Sequence, residues 1–109
     1  MPDALPELSA LQFAILDLLG AGAMSGKKLR GGLKQCFDIS KSGPAFYQLM
    51  ARLEEAKFVE GWYEQEVIDG QIIKERNYKI TGHGLRAFNG TKSFYRGKAA
   101  GMNWKPSFS

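Results

Sequence analysis

The chain has one cysteine, one histidine and no acidic residue after Glu75. Cys36 alone cannot form an internal disulfide or a thiolate metal cage. With His83 as the lone imidazole, the inventory for metal-dependent or nucleophilic catalysis is nearly empty. Carboxylate pairs such as Glu64 and Glu66 have no partner set that defines an acid/base site, so neither an enzyme nor a cofactor is expected. Cys36 is expected to pack as a small apolar residue and His83 to lie at the surface or at a helix cap. Long apolar runs are also lacking: the stretch from Phe13 to Leu19 is broken by Asp17 and falls well short of a membrane span. The opening MPDALPEL has no basic stretch before an apolar one, so no secretory signal and a cytoplasmic address are expected. No internal repeat is present, and 109 residues suit one domain with a single modest core.

What the chain does have is an uneven charge. The formal net charge of +4 divides into −3 over residues 1–24, which carry no Lys or Arg, and +4 over residues 25–57. Residues 58–80 carry −2 and residues 81–109 carry +5. Positive charge therefore concentrates in the middle and at the end of the chain, where it suits an anionic partner such as nucleic acid.

Apolar spacing predicts a first helix over roughly Leu5 to Leu19, with Leu8, Leu11, Ile15 and Leu18 as its core stripe. Phe13 and Leu16 fall on the opposite side. Ser25 is a candidate N-cap for a second helix reaching about Phe37, with Leu29, Leu33 and Cys36 inward and Lys27, Arg30 and Lys34 outward as candidate DNA contacts. Gly31 and Gly32 within it imply either close packing or an early end. Ser42 caps a third helix that Gly43 and Pro44 begin, with Phe46, Leu49, Met50, Leu53 and Ala56 inward. Its exposed arc carries Tyr47, Gln48, Ala51, Arg52 and Glu55. Residues from Phe58 to Val67 and from Ile72 to Ile80 read as strands around an Asp69-Gly70 hairpin turn. Thr81 caps a fourth helix with Leu85 and Phe88 inward, which Asn89-Gly90 is expected to interrupt. The tail from Gly97 is expected to be irregular.

Three helices, a two-stranded hairpin and a further helix form the order of a winged helix-turn-helix domain, mainly α with a small β-hairpin. The third helix of that architecture enters the DNA major groove and the hairpin lies beside the backbone. Ala51 keeps the exposed arc low, Gln48 suits adenine, and Arg52 suits guanine or phosphate. Because Glu54 and Glu55 are repelled by phosphate, the N-terminal half of the helix is the end expected to go in. On the wing, Lys74 and Arg76 are expected to face DNA, with Glu64 and Glu66 pointing away or paired with them. The acidic residues Glu60, Glu64, Glu66 and Asp69 keep open a second reading, a winged-helix protein-interaction module without specific DNA binding.

The run Ser42-x-x-x-x-Tyr47, then Arg52-Leu53-Glu54-Glu55, Phe58-Val59, Trp62 and Tyr78-x-Ile80-Thr81-x-x-Gly84 resembles the signature of PadR-type transcriptional regulators. It spans about Leu8 to Phe88. The resemblance implies a dimeric repressor on inverted-repeat operator DNA, answering to a small aromatic or lipophilic effector. It also implies backbone contacts from Ser42 and Tyr47. Where the family has Gly-Tyr at the start of the second helix, this chain has Gly26-Lys27, which favours a phosphate contact there.

The expected division is a DNA-binding domain over residues 5–95, including dimerisation segments, and a basic tail over 96–109. A homodimer is expected because Phe13, Leu16, Phe94 and Tyr95 need cover, each side chain gaining roughly 1.5–3 kcal/mol when fully buried. The alternative cover is the chain's own tail, through Trp104 and Phe108.

Overall fold

The computed structural model describes residues 8–102, apart from the side chains of residues 95 and 97–102. The expected helix start at Leu5, the interface role of Tyr95, and Trp104 and Phe108 lie outside the described residues. Helix α1 spans Ala10–Leu19 and opens with a capping box. The Ser9 hydroxyl accepts from the Gln12 amide at 3.2 Å, and the Gln12 side chain accepts from the Ser9 amide at 3.1 Å. Strand β1, Met24–Ser25, leads directly into α2, Gly26–Phe37, whose first turn is capped by the Ser25 hydroxyl accepting from Lys28 N at 3.1 Å. Helix α3, Gly43–Glu55, has Ser42 as its N-cap and Pro44 in its first turn, where the missing N–H is harmless.

Strands β2, Val59–Ile68, and β3, Gln71–Ile80, pair antiparallel around Asp69 and Gly70, whose φ values of 51° and 77° are both left-handed. Two left-handed central residues match the twist of the flanking strands, as the Asp-Gly signal predicts. The expected two-stranded hairpin gains a third strand, since β1 pairs with Tyr78 and Asn77 to give the order β1-β3-β2. Helix α4 then runs from Gly82 to Met102 without a break. Thr81 caps its start, its hydroxyl accepting from Gly84 N at 2.9 Å. Asn89-Gly90 does not interrupt α4: a helical glycine costs only about 1 kcal/mol, and Ala87 and Thr91 on either side are buried. Residues 97–102, expected to be irregular, are therefore helical.

One core gathers Leu8, Ala14, Ile15, Leu16, Leu19, Leu29, Leu33, Phe46, Met50, Leu53, Val59 and Tyr78. Several inward assignments change. Leu16 is only 1% exposed, so it is a core residue rather than a surface one, while Leu11 and Leu18 are half-buried. Phe13 stacks on Phe88 of α4 with ring centroids 4.6 Å apart. Helix α1 is thus apolar on two sides because α4 covers the second side within the same chain, which removes the reason for placing Phe13 and Leu16 against a partner. On α4, Ala87 is buried and Leu85 is 47% exposed. Cys36 and Ala56 are exposed, each lying near a helix C-terminus where the inward stripe has already left the core. Helix α2 does not end early: Gly31 is open, and at Gly32 a Cβ would press on Leu18 Cδ1 at 3.2 Å, which marks the close approach of α1 and α2.

Candidate nucleic-acid interface

The pleat sorts the wing's charges. Side chains alternate between faces along each strand, and the register pairs Gly61 with Tyr78, Tyr63 with Arg76, and Gln65 with Lys74. These residues share the face that continues the buried Val59 and Tyr78. Glu60, Trp62, Glu64 and Glu66 take the other face, opposite Lys79, Asn77, Glu75 and Ile73. The inner face of the wing is therefore basic and phenolic, and the outer face is acidic. On the outer face Glu64 accepts from Trp62 Nε1 at 2.9 Å and Glu60 pairs with Lys79 at 3.3 Å.

Between this inner face and the helix-turn-helix lies an open cleft of about 300 Å³, lined by Gly26, Lys27, Tyr47, Tyr63, Lys74 and Arg76. Glu75 is the one carboxylate among its lining residues. Gly26 is what lets α3 come close here: a Cβ on it would lie 2.8 Å from the Tyr47 hydroxyl and 3.1 Å from its ring. Tyr47, 44% exposed, thus rests on the first turn of α2, beside the positive end of the helix dipole. Lys74 places its ammonium 4.6 Å from the centre of the Tyr63 ring. A neighbouring groove of about 170 Å³ follows the exposed arc of α3 and is lined by Leu11, Lys41, Ala45, Gln48, Leu49 and Arg52.

The expected site residues thus separate. Lys27, Tyr47 and Lys74 meet around the cleft, and Gln48 and Arg52 share the α3 groove. Ser42 is engaged as the α3 cap, accepting from Ala45 N at 3.3 Å. Arg30 donates to the Lys41 carbonyl at 2.9 Å and so ties α2 to the turn before α3. Lys34 pairs with Asp38 at 2.7 Å, and that bond and charge lower the Asp38 pKa. Both partners are well exposed, so solvent screens the pair.

Arg76 departs most from expectation. Its Nη2 meets Glu54 Oε1 at 2.6 Å, with side-chain exposures of 25% and 28%, and its guanidinium lies over Tyr63 at 4.7 Å and Tyr78 at 5.8 Å. Arg76 lines the cleft but is held by α3, and Glu54, read as a repelled charge, is its partner. Burial works against the Arg76 charge, but the hydrogen bond and charge of Glu54 more than offset it, and its pKa is raised. Burial, with the Glu54 carboxylate nearby, pushes the Tyr78 phenol up to about 12.

Tyr63 and Lys41 went unmarked in the sequence reading. The Asp69-Gly70 turn could have found Tyr63, because a two-residue loop fixes the pairing of position 63 with position 76. Lys41 precedes the Ser42 cap by one residue and carries no such signal.

The element order, the wing and this cleft define a winged helix-turn-helix domain. Its architecture is that of PadR-type transcription regulators among solved structures. A PadR family transcription regulator from Clostridium difficile superposes with a TM-score of 0.75 at 19% identity, over 87% of this chain and 96% of that one. A PadR-like transcriptional regulator from Bacillus cereus gives 0.73 at 22% identity, over 86% and 88%. Bacillus subtilis PadR, solved in complex with operator DNA, gives 0.61 at 23% identity, over 74% of this chain and 45% of that one. No protein-family model and no curated protein matches the chain. Among the described residues no helix is long and apolar enough to cross a membrane, and no group of His, Cys, Asp and Glu could hold a metal ion.

Proposed function

We propose that the chain is a sequence-specific DNA-binding transcription regulator. The observation that carries this reading is the charge sorting of the wing, which turns Lys74 and Tyr63 toward Lys27 and Tyr47 and leaves the carboxylates Glu60, Glu64 and Glu66 on the far side. A duplex with α3 in its major groove would bring one backbone past the cleft, with Lys27 and Lys74 as phosphate partners and the Tyr47 hydroxyl as a donor. Gln48 and Arg52 on the exposed arc of α3 would read base edges. Operator binding by a structural neighbour of the same architecture supports the reading.

The regulator acts as a homodimer, and with Leu16 buried and Phe13 covered, the pairing surface moves to α4, where Leu85 is 47% exposed. Repression and relief by a small aromatic or lipophilic effector rest on the resemblance alone. The acidic outer face of the wing favours the second reading, a protein-interaction module.

Salt dependence separates the two. Lys27→Ala and Lys74→Ala should each lower the slope of log affinity against log salt by about one. Arg52→Ala and Gln48→Ala should cost about 1–3 kcal/mol of binding to a selected duplex and relax its base preference. Mutants that bind the duplex like wild type would remove the interface.

A further inference from the structure

The two residues that look least compatible with the sequence reading of the wing, Glu54 and Arg76, explain each other. Glu54 is near the C-terminal end of α3, beyond the arc that carries Gln48 and Arg52, and Arg76 is on the inner face of β3. Their bond crosses from the helix to the sheet at the level of Gly61, directly opposite Tyr78 in the register. The absence of a side chain there leaves room for the pair: a Cβ on Gly61 would collide with the Glu54 carboxylate and lie 2.8 Å from Arg76 Nη2, so both side-chain ends would have to shift. The guanidinium is further confined between the Tyr63 and Tyr78 rings. Tyr78 is a core residue, so the pair lies against the buried core at its inner end. Lys74 also lies over the Tyr63 ring, which links the pair to the cation that lines the cleft.

We propose that Arg76 is a positioning residue: its pair with Glu54, seated over Gly61, fixes the angle between the recognition helix and the wing so that both meet one duplex. The inference rests on the DNA-binding reading for its consequence and on the protein alone for its geometry. The base of the ribbon is held by the pairing of β1 with β3 and by the buried Val59 and Tyr78, and the ion pair between Glu54 and Arg76, 22 residues apart in sequence, ties it to α3.

The test uses the fact that the two partners carry opposite charges. If Arg76 touched phosphate, Arg76→Gln would weaken DNA binding and lower the salt slope by about one, while Glu54→Gln, which removes a negative charge near DNA, would tighten binding. A positioning role predicts a different pattern. Glu54→Gln and Arg76→Gln each weaken binding to a duplex selected by the wild type by about tenfold, the salt slope stays as it was, and the double variant is no weaker than either single one. Gly61→Ala, which keeps both charges and displaces only the flexible ends of the pair, gives the same loss. Spin labels on Gln71→Cys at the wing tip and Ala51→Cys on α3, in a Cys36→Ser background without DNA, read the angle directly. The wild type should give one narrow distance distribution, and all three variants should broaden it. Tighter binding by Glu54→Gln, a lowered slope for Arg76→Gln, or unchanged distance distributions would each overturn the proposal. A wild type that selects no duplex would overturn the DNA-binding reading, and the distances alone would then decide whether the pair sets the angle.

Discussion

Two glycine-to-alanine substitutions should move stability in opposite directions, for reasons visible in their surroundings. Gly31 sits within α2 on its exposed side, with no atom within 4 Å of where a Cβ would go. Alanine there gains helix propensity and removes freedom from the unfolded chain, together about 1 kcal/mol of stabilisation. Gly84 is in the first turn of α4 and is buried. A Cβ there would collide with the Phe58 carbonyl oxygen and lie 2.9 Å from its carbon and 3.0 Å from Ile80 Cγ1. That carbonyl cannot yield freely, because it accepts from Thr81 N at 3.1 Å while Phe58 N donates to Leu53 O at 3.0 Å. Overpacking of roughly 1–3 kcal/mol and a strained hydrogen bond of about 1 kcal/mol oppose a propensity gain of under about 1 kcal/mol. The net is a loss of about 2 kcal/mol, so the two variants should lie about 3 kcal/mol apart. Urea unfolding followed by far-ultraviolet circular dichroism reads both, at one fixed protein concentration so that association does not shift the midpoints. A Gly84→Ala variant as stable as the wild type would refute the packing of α4 on Phe58.

Alkaline pH should destabilise the protein through Tyr78. Its phenol is raised from 10.0 to about 12 on folding, so the stabilisation is complete below pH 10 and is lost as pH rises from 10 toward 12. The loss is on the order of 2–3 kcal/mol, and Tyr78→Phe should flatten the dependence measured between those values. Phe13→Ala should cost about 2–3 kcal/mol by removing the stack on Phe88, read as a lower urea midpoint; an unchanged midpoint would mean that α4 is not docked through that pair. Sedimentation at tens of micromolar should give a dimer that Leu85→Asp weakens without lowering the far-ultraviolet signal, and a monomeric wild type would end the homodimer proposal.

The parts of the fold that the sequence made legible are those set by neighbouring residues. Ser25 and Ser42 cap the helices they precede, and Asp69-Gly70 turns the hairpin, because each needs only residues within a few positions of itself. The misread parts depend on partners far along the chain. Strand β1 is two residues long and exists only through its pairing with Tyr78 and Asn77. Leu16 reads as exposed on a helical wheel until α4 is known to return across α1. Arg76 reads as a DNA ligand because its partner Glu54 lies on another element and the gap at Gly61 that admits the pair has no local signature. Lys27, Tyr47 and Lys74 were each legible singly, as basic or phenolic groups on elements that face outward. Their meeting in one cleft required the close approach at Gly26.

The central claim is that α3 reads duplex DNA by sequence while the inner face of the wing holds its backbone. The most direct measurement is the affinity of the wild-type protein, at 150 mM salt, for a duplex selected from a random pool and for a scrambled duplex of the same length and composition. Specific readout predicts a ratio of about a thousandfold or more, with log affinity falling linearly against log salt for both duplexes. Equal affinities for the two duplexes, or binding indifferent to salt, would contradict the claim.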